Sequence, residues 1–379
     1  MWTDASWFTI LAQEDERVQK LAVALVIATV SVSHAVAQQA SGVAGQTSAA
    51  HNARGTAAPG GKALAGGARG TSAAGTKAKA PRTPWGTPDL QGQWTGSTIT
   101  PLERPAKYAD RTHLTAQEAA ALEADARARA AEEPKVGAGD PGTYNQVWFD
   151  PAASTLPDRR TSLIIDPPDG KLPFTPDGRK FETRAGDHYG RGVRDNPEDF
   201  DTGERCLTDG LPLPFFTGYN NNVQIIQTPQ YVAIQAEMFH DFRLIPLDGR
   251  PRVSAQWLGE SRGHWEGDTL VVETENFLDK GRYWWANSWR ASRATLKVVE
   301  RFTRIDDETM DYEFTWTDPS QFTRPWTAKY PLTTNQAARG VTQGLMYEYA
   351  CHEGNQSLIN VLKGARSLGD LSGAAPAPR

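Results

Sequence analysis

Cysteine and methionine are scarce in this chain, at two and four of 379 residues. Cys206 and Cys351 stand alone, which excludes a disulfide-dense scaffold and a four-cysteine zinc site. No CxxC, HExxH, G-x-S-x-G, P-loop or dinucleotide fingerprint occurs, so no motif announces a metalloprotease, a serine hydrolase or a nucleotide site. Acidic residues are missing from Gln38 to Pro84, a stretch that holds six basic ones. Residues 1–37 contribute −2 and residues 38–84 contribute +6 to a whole-chain charge of −5, which leaves −9 on residues 85–379. A domain this acidic lacks the clustered Lys and Arg of a nucleic-acid footprint.

What is present begins with an export layout. Arg17 and Lys20 precede an apolar stretch from Leu21 to about Val32, and Ala35-Val36-Ala37 fits a small-x-small cleavage site. The stretch is short for a membrane span. We expect residues 1–37 to be a signal peptide, with no stable membrane insertion after cleavage. An N-terminal anchor is the alternative. Asp4, Glu14, Asp15 and Glu16 are unusual ahead of a signal peptide, and a start codon placed too early accounts for them. The Ala/Gly/Ser-rich stretch 38–84 has too little apolar side chain to offset the entropy of ordering it, and reads as a disordered linker. The protein is therefore expected to be periplasmic or secreted. In an oxidising compartment Cys206 and Cys351 are expected to pair, closing a long loop.

Residues 85–366 read as one β-rich domain, with a disordered tail from 367 to 379. Trp85 and Trp94 look like anchors, and Gln91–Ile99 contains a first strand. Thr115-Ala-Gln-Glu118 is a capping box that starts an Ala-rich helix over 116–133. From Val223 onward strand patterns dominate. Tyr231–Leu247 reads as one long strand, with Val232, Ile234, Ala236, Met238 and His240 on one face and Glu237, Asp241 and Arg243 on the other. Gly267-Asp268 joins two strands. Leu296–Ile305 and Thr309–Thr317 form another hairpin, with Met310, Tyr312, Phe314 and Trp316 on one face. Phe322, Trp326 and Tyr330 are assigned to a loop, and Gln356–Lys363 to a short helix stopped by Gly364, with Leu358, Ile359 and Leu362 inside. Hairpins without long helices between them predict a mainly β fold. An antiparallel meander forming a lipocalin-like or related barrel fits, with a few peripheral helices and long loops.

Candidate chemistry lies where ionisable residues interrupt apolar patterns. His240 is a candidate base at the end of a greasy face, Asp241 orients it, and Arg243 steadies negative charge. His352 and Glu353, beside Cys351, are a second base and orienter. A Cys206–Cys351 bridge brings His352 toward Arg205 and Asp209. Asn222, Glu237, Tyr283, Trp284, Trp285, Trp289 and Trp326 are candidate substrate contacts, with the aromatic run serving as a stacking surface or lid. The bland alternatives are a satisfied core histidine for His240, a solvated ion-paired face for Glu237, Asp241 and Arg243, and dense core packing or an oligomer contact for the aromatic run. His264 and Glu266 share a face and are spaced to hydrogen-bond. No metal ligand set or cofactor is predicted.

The strings HDFRLIPLDGRP, GHWEGDTLVVET and YACHEGN resemble those of a large family of uncharacterised exported bacterial proteins that share the HDxRxIPLDGRP, WEGDTLVV and CHEGN pattern. The resemblance spans about residues 88–366. It implies one export-linked domain and carries no activity, cofactor or residue role. Two functions stay open. One is an exported enzyme that works on a small, partly apolar or glycosylated compound by acid–base chemistry, as a lyase, isomerase or hydrolase. The other is a periplasmic protein that binds such a molecule without catalysis.

Overall fold

The computed structural model describes residues 80–132, 152–179, 197, 200–213, 219–281, 283, 289–291, 293–335, 346–352 and 356–372. All of them belong to the compact unit Ala74–Arg379; the other unit, Met1–Ala73, lies outside them. The signal-peptide expectation, most of the linker, and Trp284, Trp285 and Glu353 also lie outside the described residues.

Alternating apolar residues become strands where turn residues flank them. β6 (Glu260–Glu266) and β7 (Thr269–Glu275) meet across Gly267, whose φ of +59° suits a two-residue hairpin turn. β8 (Lys297–Arg304) and β9 (Thr309–Thr317) follow as predicted, and Met310, Tyr312, Phe314 and Trp316 are all fully buried. The remaining strands are β1 (Gly92–Thr95), β2 (Ile164–Asp166), β3 (Asn222–Gln227), β4 (Tyr231–Ala236), β5 (Phe242–Pro246) and β10 (Trp326–Thr333).

The sheet order is β5-β4-β3-β1-β10-β9-β8-β7-β6, with β2 added to β10. Every pairing is antiparallel. β1 arrives from far away in sequence and sits between β3 and β10, pairing Trp94 with Val223 and Thr95 with Thr333. Nine alternating strands leave β5 and β6 running in the same direction at the two ends of the path. They approach through side chains: a Cβ at Gly263 would lie 2.9 Å from Ile245 and 2.8 Å from Leu247. The result is a nearly closed antiparallel barrel with few helices, as expected. Its interior is filled by apolar side chains from every wall.

The Ala-rich helix α1 (Ala116–Ala131) carries the predicted capping box, with both the Thr115 and Glu118 bonds formed. It buries only Ala119 and Ala126, so its hold on the domain is weak.

Several boundaries differ from the sequence reading. Tyr231–Leu247 is a hairpin, not one strand. Residues 237–241 turn the chain, and the pairing of Ile234 with Arg243 lets even residues of β4 and odd residues of β5 face inward. Met238–His240 forms a 3-10 turn in which Phe239 and His240 have φ of +56° and +54°. Periodicity alone does not reveal such a turn because no glycine or proline marks it. Trp326 and Tyr330 belong to β10, where their alternation buries both completely. The last helix, α2 (Ser357–Ser372), runs through Gly364 and includes the start of the predicted tail. A glycine in an exposed helix costs only about 1 kcal/mol, too little to end it. Ile359, expected inside, is half-exposed. Trp85 is also exposed, while Thr83 is buried and Arg82 pairs with Pro88 in an isolated bridge.

Candidate functional site

One end of the barrel gathers the polar residues. It is the end where β9 finishes in Trp316 and β10 begins in Trp326. Over it lie the β4–β5 turn, the 200–213 loop, the Trp289–Arg290 segment and the 346–351 strap. Of six described non-glycine residues with positive φ, four stand here: Cys206, Asn220, Phe239 and His240. Left-handed backbone at a bulky residue such as Phe239 is strained and persists only when its surroundings fix it.

Those surroundings are specific. Asn222 donates from its backbone N at 3.2 Å and from Nδ2 at 2.8 Å to Glu237 Oε2. Tyr347 N donates to Glu237 Oε1 at 2.7 Å. Tyr349 N donates to His240 Nε2 at 3.1 Å. The Phe239 and Tyr349 rings stand 4.6 Å apart. Cys206 and Cys351 form the expected disulfide, which ties the strap to the 200–213 loop. No helix among the described residues is long and apolar enough to cross a membrane.

Beneath this layer lie three carboxyls: Asp209 acts on both Asp201 and Asp241, and Asp209 and Asp241 also lie in the field of the Arg290 guanidinium. Asp241 Oδ2 accepts from Thr208 Oγ1 at 2.7 Å and from Asp209 N at 2.9 Å. Arg290 donates from Nη2 to Asp209 Oδ2 at 3.2 Å and to Asp209 O at 2.6 Å, and from Nε to Leu211 O at 2.9 Å. The guanidinium also lies over the Tyr283 ring at 5.2 Å. Gly210 has φ of +73°, and a Cβ there would fall 2.0 Å from Tyr283 Oη, so no other residue fits.

Burial decides the proton affinities. It raises Asp241 to about 6 against the opposing bonds from Thr208 and Asp209, and raises Asp201 to about 6 as well. Asp209 also shifts upward through burial, with Arg290 opposing. Asp209 repels the charged form of both other carboxylates. Burial likewise keeps the Tyr283 phenol protonated.

This raised affinity makes stability depend on pH. Between about pH 4 and 6 the folded protein keeps a proton on Asp241 that the unfolded chain has released. The stability that this group contributes is complete below about pH 4 and is lost as pH rises through about 6. The loss is up to about 3 kcal/mol. Asp241→Asn keeps an oxygen to accept from Thr208 and Asp209. Urea denaturation of this variant is expected to show a smaller fall in stability from pH 4.5 to 7 than the parent shows. Parallel profiles would mean that Asp241 titrates in its ordinary range.

The predicted residues fall in different places. Asp241, Glu237, Asn222, Tyr283 and Trp289 meet at this end, and Asn222 and Glu237 bond to each other. Tyr283, Trp289 and Trp326 are buried. His240 is exposed and turned to the strap, and His352 is exposed beside the disulfide. Arg243 lies inside the barrel, held by Glu300 at 2.6 and 3.1 Å. No His240–Asp241–Arg243 relay is therefore built, because the turn sends the three side chains to different partners. His264 and Glu266 do pair, at 3.2 Å, on the exposed face, where Arg301 also joins Glu266. Among the described residues no three His, Cys, Asp or Glu side chains are grouped to hold a metal ion.

Sequence reasoning did not single out Asp201, Thr208, Arg290 or Glu300. Glu300 alone left a trace, as a carboxylate between inward-facing Val298 and Phe302. Comparison of the chain with protein-family models, curated proteins and solved structures finds no match.

Proposed function

We propose that this is an exported enzyme that acts on a small, partly apolar or glycosylated compound by acid–base chemistry. The carrying observation is the set of carboxyls around Asp209, with Asp201 and Asp241 raised to about 6 and Arg290 paired to Asp209. A carboxyl poised near the working pH both gives and takes a proton efficiently. In this reading Asp241 and Asp201 exchange protons with the substrate. Arg290 takes the role that the sequence assigned to Arg243 and steadies developing negative charge. His240 holds the strap and is a positioning residue. Export is supported by the Leu21–Ala40 layout and by the disulfide.

Proton transfer leaves a mark that can be read before the product is identified. The purified, oxidised protein is incubated in D2O with pooled small oxygenated aromatics and glycosides, and each compound is followed by mass spectrometry. The expected result is deuterium incorporation or conversion of one class, with a pH dependence centred near 6 and loss in Asp241→Asn. Absence of conversion with retention of a compound on the protein would favour the second reading, a periplasmic binding protein. That reading draws on the hydrogen bonds that already occupy Asp241 and His240.

A further inference from the structure

Orphaned polar atoms collect at one place in the barrel. Trp316 and Trp326 face each other across β9 and β10, both completely buried, and neither indole N–H has a hydrogen-bond partner among the described residues. Asp318 continues the inward face of β9 beyond Trp316. Its Oδ1 accepts from Thr295 and Ser320, and its buried Oδ2 has no described partner. Deeper in the barrel Arg243 gives both terminal nitrogens to Glu300, while its buried Nε has no described partner. Each such atom costs about 1–3 kcal/mol when it is dry and unpaired. Native interiors hold few of them, and each calls for an explanation.

The ring packed against them comes from elsewhere. Phe314, Trp316 and Trp326 are fixed by strand ladders, but Trp289 is supplied by a connecting segment. Its indole lies within 7° of parallel to Phe314 at 6.3 Å. It stands edge-on to Trp316 at 5.3 Å and to Trp326 at 5.0 Å. These are the arrangements that the quadrupoles of flat aromatic rings favour. The strands thus form a receptacle for a planar ring, and a loop residue fills it. Trp289 does not satisfy the two strand indoles as an acceptor, because its own ring nitrogen is only a donor.

We propose that the Trp316–Trp326 end of the barrel is a binding site for a planar aromatic molecule bearing oxygen acceptors, and that Trp289 occupies this site as a built-in plug. Carbonyl or ether oxygens of the ligand accept from the Trp316 and Trp326 indoles, and a phenolic hydroxyl donates to Asp318 Oδ2. Arg290 follows Trp289 in the chain and holds Asp209, so the ligand ring lies beside the carboxyl cluster. A planar oxygenated aromatic is thereby the substrate class for that cluster; its binding stands alone, and only its turnover rests on the acid–base reading. A site that must first release its plug binds with an affinity lowered by the plugged fraction.

The test uses the oxidised full chain and two probes, 7-hydroxycoumarin and naphthalene, followed by tryptophan quenching and equilibrium dialysis. The parent is expected to bind 7-hydroxycoumarin at least tenfold more tightly than naphthalene. Trp316→Phe and Trp326→Phe keep a ring but lose the N–H, and each is expected to weaken that binding about tenfold. Trp289→Ala removes the plug and is expected to tighten it at least tenfold. If Trp289→Ala does not fold, the two Phe variants carry the test. No binding by the parent, or equal binding of both probes that is indifferent to Trp316 and Trp326, would overturn the proposal. Binding without turnover would leave it standing and overturn the acid–base reading. Turnover of non-aromatic compounds without coumarin binding would do the reverse.

Discussion

Replacing Glu300 by alanine is expected to lower the stability of this protein by about 3–5 kcal/mol. Glu300 is fully buried and Arg243 nearly so. Two charge-assisted bonds join them, and Tyr312 Oη donates to Glu300 Oε1 at 2.7 Å. Burial, reinforced by the carboxylate itself, keeps the Tyr312 proton in place. Removing the carboxylate leaves a buried guanidinium without its ion-pair partner, and that desolvated charge sets the size of the effect. The attraction between the partners is a separate matter. Replacing Arg243 by methionine together with Glu300 by leucine is expected to recover most or all of the loss, because neither charge of the pair then remains. Urea unfolding of the three proteins at pH 7 checks this. A single variant within 1 kcal/mol of the parent would show that water reaches the pair.

Converting Cys206 to serine is expected to have an effect of similar size through the unfolded chain. The Cys206–Cys351 bridge spans 145 residues. In the chain-entropy account such a closure contributes about 5 kcal/mol by restricting the unfolded ensemble. For a domain of this size the melting temperature should fall by roughly 10 °C. The fold should survive at room temperature, because Glu237 and His240 still hold Tyr347 and Tyr349. A thermal melt paired with a thiol count checks both statements. An unchanged melting temperature would mean that the bridge contributes nothing to stability.

Both effects bear on which parts of the molecule were legible in the chain. Met310, Tyr312, Phe314 and Trp316 alternate with polar residues, and the pleat alone places them on one face of β9. The Gly267-Asp268 turn and the Thr115 capping box are equally local, and both form where the sequence puts them. The disulfide followed from having only two cysteines and an export layout. The β4–β5 hairpin was not legible. Its turn is held by Asn222, Tyr347 and Tyr349 from other segments, and it uses left-handed backbone at Phe239 and His240, which local propensity disfavours. One consequence is that Glu237, Asp241 and Arg243 turn to three different partners instead of forming one polar row.

The candidate site divides in the same way. Asp241 was visible as an acid interrupting an apolar run, but its neighbours were not. Thr208 and Asp209 reach it across more than thirty residues, and Arg290 reaches Asp209 across about eighty. By itself the sequence determined the hairpin across Gly267-Asp268, the β8–β9 hairpin with one shared face on β9, the helix start at Thr115 and the pairing of the cysteines. These follow from alternation, turn chemistry and composition, which neighbouring residues carry. Only the tertiary structure decided that β1 enters between β3 and β10, that Arg243 meets Glu300 57 residues away, and that Asp209 and Asp241 share the field of Arg290. Such contacts depend on how the barrel closes. Ring closure is set by the packing of all its strands together, and no single stretch of sequence encodes it.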